Sequence, residues 1–105
     1  MHLFFLCHRD VLPRSPEPGQ WAHFTDDQRR VYTYVLGNLL LIDGPSKANL
    51  KLGNKEWPQK KALIQSWGNQ TPLTTEALRL SDWSIGTIES RNDELAELAV
   101  EAWSP

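Results

Sequence analysis

Cysteine is almost missing from this chain. Cys7 is the only one in 105 residues, so no internal disulfide can staple the fold, and a reducing compartment suits it. A lone Cys of this kind reads as a small buried hydrophobe. Long apolar runs are missing as well. Leu3-Phe4-Phe5-Leu6-Cys7 is too short for a signal-peptide core or a bilayer span, and His8-Arg9-Asp10 closes it at once. A soluble cytoplasmic protein with no membrane partner is the expectation. There is no Cys/His zinc spacing, no phosphate-cradling glycine loop and no Ser-His-Asp arrangement. Charge of one sign is lacking too: the formal net charge is -2, which argues against a generic polyanion binder.

What is present is aromatic area and an uneven distribution of charge. Five Trp, three Phe and two Tyr supply enough apolar surface for one domain of this length to close a core. Residues 1–105 therefore read as a single domain. Lys47, Lys51, Lys55, Lys60 and Lys61 stand against Glu56 alone in the middle of the chain, whereas residues 71–105 are strongly acidic. A basic middle beside an acidic tail is compatible with one face meeting phosphates, although a basic run is commonly just a solvated helix face.

The chain is organised around Leu36 to Leu50. Gly37-Asn38 is a turn signal, Leu39 to Ile42 is an apolar run of strand length, and Asp43-Gly44-Pro45-Ser46 breaks it ahead of a helix. Upstream, Leu3–Leu12 is strand-like, ended by Pro13, and should pair antiparallel with the central strand. By the period of two, His8 and Asp10 share one face of it. Between the strands, Thr25-x-x-Gln28 fits a capping box and predicts a helix from Asp26 to about Val35. Further helices are predicted over about Glu56–Trp67, with Ala62, Leu63, Ser66 and Trp67 on one face and Lys60 and Lys61 leaning away. Others should run from Pro72 to about Leu80 and from Ser84 to Trp103. The fold class is α+β: a small antiparallel two-stranded hairpin plus helix, with a mainly helical C-terminal part.

One ordered set of residues carries a resemblance. Val11-Leu12-Pro13-Arg14, Trp21, Leu36-Gly37-Asn38-Leu39-Leu40-Leu41, Asn49, Asn54, Lys60-Lys61 and Ile88-x-x-Arg91 with Leu95-Ala96 and Trp103 resemble the HNH-type nuclease domain at the C-terminal end of GmrSD-like restriction proteins. The resemblance covers nearly the whole chain and implies a ββα-metal fold. It implies an acid and a His just before the Val-Leu-Pro triplet. The acid helps hold a divalent metal, Mg²⁺ or Mn²⁺, and the His takes a proton from the attacking water. By the same resemblance, Asn38 steadies the loop that aims the base, and Asn49 is a metal ligand. Phosphodiester hydrolysis calls for a hard cation and a base of near-neutral pKa, which explains those residue types.

The chain departs from this pattern at one point. Arg9 stands where the resemblance puts the acid, and Asp10 where it puts the His. One reading keeps a metal-dependent HNH endonuclease acting on DNA in a restriction and defence system, with His8 and Asp10 catalytic and Asp10 and Asn49 as metal ligands. The other is a catalytically decayed HNH-like domain that serves as a DNA-binding or subunit-docking module. Lys55, Lys60, Lys61 and Arg91 are the candidate nucleic-acid contacts. The resemblance also implies an N-terminal ParB-like, nucleotide-dependent domain as a partner, which would make this chain the C-terminal fragment of a longer restriction protein.

Overall fold

A computed structural model describes residues 5–103 of the chain. Its centre is an antiparallel pair, β1 (Phe5–Asp10) and β2 (Leu39–Gly44), registered with Phe5 opposite Gly44 and Asp10 opposite Leu39. The expected pairing is therefore found, with Leu3 and Phe4 outside the described residues. The strand stops at Asp10 rather than Leu12 because a side chain takes over from the ladder. The Val11 N–H still donates to the Asn38 carbonyl at 2.9 Å, but both backbone groups of Leu12 are held by the Asn38 side chain.

Along β2, Leu40 and Ile42 are buried while Leu41 is 43 % exposed. The apolar run is thus a one-sided strand, not one buried on both faces. Helices cover one face of the hairpin, and alternation follows from the pleat.

The insert between the strands carries α1 (Asp26–Tyr32). Its capping box forms as the sequence predicts: the Thr25 hydroxyl accepts from Gln28 N–H at 3.1 Å, and the Gln28 side chain accepts from Thr25 N–H at 2.8 Å. The helix stops short of Val35, and a single 3₁₀ turn at Leu36–Asn38 leads into β2.

After β2 come α2 (Ala48–Leu52), α3 (Trp57–Ser66), α4 (Pro72–Ala77) and α5 (Ile85–Trp103). Thr71 caps α4, with Pro72 at its first position. Trp21, Trp57 and Trp83 are all essentially buried, and the Trp57 and Trp83 rings lie 4.7 Å apart. At about 25 cal/mol per Å² and ~150–250 Å² each, a buried tryptophan contributes roughly 4–6 kcal/mol before conformational entropy is subtracted.

On α3 the buried residues are Trp57, Lys60 and Ile64, while Ala62 and Ser66 are exposed. The expected face holds at Leu63 and Trp67, which pack against the core, and fails at Ala62 and Ser66; a lysine lies among the fully buried positions. On α5, Ile88 is buried but Leu98 and Val100 are 42 % and 67 % exposed, so the apolar stripe meets the core mainly over its first half.

The approach of α5 to the 3₁₀ turn is fixed by Gly37. A Cβ there would collide with the Ile88 carbonyl oxygen and sit 2.7 Å from the Asn92 amide nitrogen. Both obstacles are backbone, so neither can swing aside. Gly37→Ala should cost at least ~3 kcal/mol, because the whole helix must retreat. Urea unfolding measures this, and a loss below ~1 kcal/mol would mean that α5 does not pack this closely.

Candidate functional site

Asn38 ties the site together. It is completely buried, and its amide uses all its polar capacity. Oδ1 accepts from Leu12 N–H at 2.8 Å and from the Trp83 indole N–H at 3.1 Å; Nδ2 donates to the carbonyls of Leu12 at 3.0 Å and Thr33 at 3.1 Å. Four segments meet on one amide, and the turn just after Asp10 is clamped. This is a steadying role; with all four bonds internal, nothing on Asn38 is left over for a ligand.

A second clamp comes from α3. Lys60 is 1 % exposed. Its ammonium donates to the Val11 carbonyl at 2.6 Å and lies 5.4 Å from the centroid of the Trp21 ring. Burial, first, and then the neighbouring charges of Arg9 and Lys55 push its pKa down to about 7, while Asp10 pulls the other way. Lys60 therefore does not stand on the solvated face expected of a phosphate contact. Its stem is long enough to cross the core and reach the carbonyl beyond Asp10.

Trp21, which floors this lysine, has φ +56, a left-handed conformation that costs a non-glycine residue ~1–3 kcal/mol. It is held there by the Glu56 carboxylate, which accepts from Trp21 N–H at 3.0 Å, and by the Asn54 carbonyl, which accepts from the indole at 3.3 Å.

The low pKa of Lys60 has a consequence for stability. The unfolded chain keeps this proton up to the ordinary value of 10.5, whereas the folded chain releases it near 7. Between those values the unfolded state binds more protons, so stability rises with pH across that window and is lowest below it. Lys60→Met should flatten the rise. Denaturation at about pH 6 and about pH 9 checks this, and an identical pH dependence in the variant would contradict it.

Arg91, expected among the nucleic-acid contacts, is instead a structural clamp. Its Nε and Nη2 donate to the carbonyls of Gly37 and Leu39 at 3.0 and 2.8 Å, and its guanidinium carbon lies 5.3 Å from the Trp83 ring centroid. Lys61 is half-buried, donating to the Leu80 carbonyl at 3.0 Å. Of the four expected contacts only Lys55 is exposed; it bonds the Lys51 carbonyl at 2.9 Å.

At the end of β1, Arg9 and Asp10 diverge. Arg9 is half-buried on the helix side, where Nη2 donates to the Gly53 carbonyl at 2.7 Å. Its Nε is buried with no hydrogen-bond partner among the described residues. Gly53 closes α2, the helix that carries the exposed Asn49. Asp10 has a side chain 30 % exposed, with Arg14 Nε 3.9 Å from its carboxylate. His8 pairs with Leu41 in the ladder, and its side chain lies outside the described residues.

Arg9, Asp10 and Lys55 thus all lie within electrostatic reach of Lys60, and Arg14 pairs with Asp10. The missed participants are Trp83 and Glu56. Nothing in their spacing marks them, because their partners, the Asn38 side chain and the Trp21 N–H, are distant in the chain.

The charges described at this corner disfavour a divalent cation. Asp10 is already offset by Arg14, and a guanidinium stands beside the lysine it helps to depress. Bringing two more positive charges into such a place is unfavourable unless carboxylates offset them.

By its fold this is a small α+β domain in which an antiparallel hairpin is followed by helices, with its polar machinery gathered where β1 leaves the sheet. Comparison with protein families matches residues 11–98 to the GmrSD restriction endonucleases, C-terminal domain, and the chain belongs to that family. The matched span opens directly after the Arg9-Asp10 pair. Comparison with curated proteins and with solved structures gave no match.

Proposed function

We propose that this domain engages DNA as the C-terminal, nuclease-type part of a cytoplasmic restriction system, and that its own hydrolytic step is lost or severely slowed. The observation that carries the second half is the Arg9-Asp10 pair, fixed beside a fully formed Asn38 clamp. The apparatus for aiming a base is intact, but an aspartate occupies the aimed position. A metal-dependent HNH endonuclease would need His8 as the base. Two residues along a strand is a displacement of about 6–7 Å, and catalytic geometry tolerates about 0.5 Å. A ParB-like N-terminal partner and an Asp10–Asn49 metal pair follow from the resemblance alone; the cation-rich corner favours DNA contact without them.

Support for DNA contact comes from the family and from exposed cations on and after α2, Lys51 and Lys55 among them. Each lysine on a phosphate releases condensed counterions, so affinity for duplex DNA should fall steeply with salt. Replacing Lys51 and Lys55 together with Gln should flatten the slope by about two units. Fluorescence anisotropy across a salt titration reads this directly. An affinity that ignores salt, or an unchanged slope in the double variant, would sink the reading.

A further inference from the structure

The charge pattern at the end of β1 leads further than this DNA-binding reading, on which it rests. We infer that the corner is a metal-free phosphodiester site, in which the Arg9 guanidinium stands in for the divalent cation.

Three observations carry the inference. First, Arg9 is locked rather than loose. Nη2 is spent on the Gly53 carbonyl at 2.7 Å, which orients the guanidinium plane against the end of α2. A planar fork held by one of its amines keeps donors in a fixed geometry, the arrangement that suits phosphate oxygens. Its Nε is buried without a partner among the described residues, so contact with a phosphate falls to the rest of the half-buried guanidinium.

Second, the surroundings are cationic. Lys55 and Arg14 stand at the surface, and Lys60, which gives up its proton near pH 7, lies beneath, pinned to the Val11 carbonyl. Asp10 is the carboxylate that this group shares, and it has Arg14 as a partner. An anion entering here meets excess positive charge, and a metal ion entering here meets repulsion.

Third, the frame is rigid. The Asn38 amide holds both backbone groups of Leu12, so the turn that follows Asp10 is fixed. A fixed positive group supplies charge neutralisation of the kind a metal would provide, without lowering the pKa of a bound water. It therefore supports binding and not hydrolysis.

The test is duplex DNA binding by the whole chain, read by anisotropy in excess EDTA and in millimolar Mg²⁺, together with a titration of the chain alone by Mn²⁺ followed by electron paramagnetic resonance. We expect the dissociation constant to agree within about twofold between EDTA and Mg²⁺ at matched ionic strength. Mn²⁺ should show no stoichiometric binding. Arg9→Gln should weaken DNA binding roughly tenfold or more and lower the salt slope by about one. Arg14→Gln, at a position with a side chain 67 % exposed, should fold normally and lower the slope also, so the inference does not hang on the packing of Arg9. Tight binding that EDTA abolishes and Mg²⁺ restores would overturn this inference while leaving DNA binding in place, as would stoichiometric Mn²⁺ binding to the chain alone. Failure to bind DNA under either condition would overturn both this inference and the reading it rests on.

Discussion

Arg9→Glu combined with Asp10→His should raise nicking of plasmid DNA by at least ~100-fold over the natural chain when each is saturated with DNA. A positioned general base is worth typically ~100–10,000-fold, and carboxylates are weak bases near neutral pH. The scaffold is ready to use a restored His, because Asn38 already holds the turn that follows position 10. The companion change is electrostatically tolerable. Position 9 lies within the field of the buried Lys60, and a glutamate there would replace a repulsive neighbour with an attractive one. The new activity should require added Mg²⁺, since the double change also restores an acid to the corner. Each single variant should stay close to the natural chain, because base and acid are both needed. If the double variant folds, binds DNA and still does not cut, more than one proton acceptor and one carboxylate are missing.

Asn38→Ala should be the most damaging single substitution for stability, with a loss of roughly 3–5 kcal/mol. It strands the Leu12 N–H, the Leu12 and Thr33 carbonyls and the Trp83 indole N–H, all at a place with no exposure. Each orphaned buried group costs about 1–3 kcal/mol, and the sum is reduced where neighbours relax together. A domain of this size has about 5–15 kcal/mol of total stability, so the variant should sit near the edge of folding. Asn38→Asp keeps the acceptor but removes both donations and buries a charge; it should be no better than alanine. Denaturant melts measure both. A loss below ~1 kcal/mol in Asn38→Ala would show that the four-way clamp carries little of the fold's stability.

The sequence made some features of this molecule legible and concealed others, for identifiable reasons. The Thr25–Gln28 capping box and the helix start at Pro72 are local patterns, and the strand pairing follows from two strand-like runs; all three are found as expected. The turn at Gly37-Asn38 was visible, but its cause was not. Gly37 is required because α5, some fifty residues later, packs on its backbone. The same distance effect misled the reading of the basic residues. Lys60 and Arg91 look like surface cations until long-range contacts place them on carbonyls of Val11, Gly37 and Leu39. One local clue was available for Lys60: it lies three residues after Trp57 and four before Ile64, on the face that those two bury. The departure at Arg9-Asp10 was plain in the sequence. Its physical meaning, a guanidinium fixed on the Gly53 carbonyl, needed the fold.

The most direct test of the central claim is a plasmid nicking assay with the purified natural chain, with and without Mg²⁺, at a protein concentration where binding of the same plasmid is demonstrated. The account predicts that the DNA is bound and stays supercoiled in both conditions. Mg²⁺-dependent nicking by the natural chain, abolished by His8→Ala, would contradict it and would make His8 the displaced base.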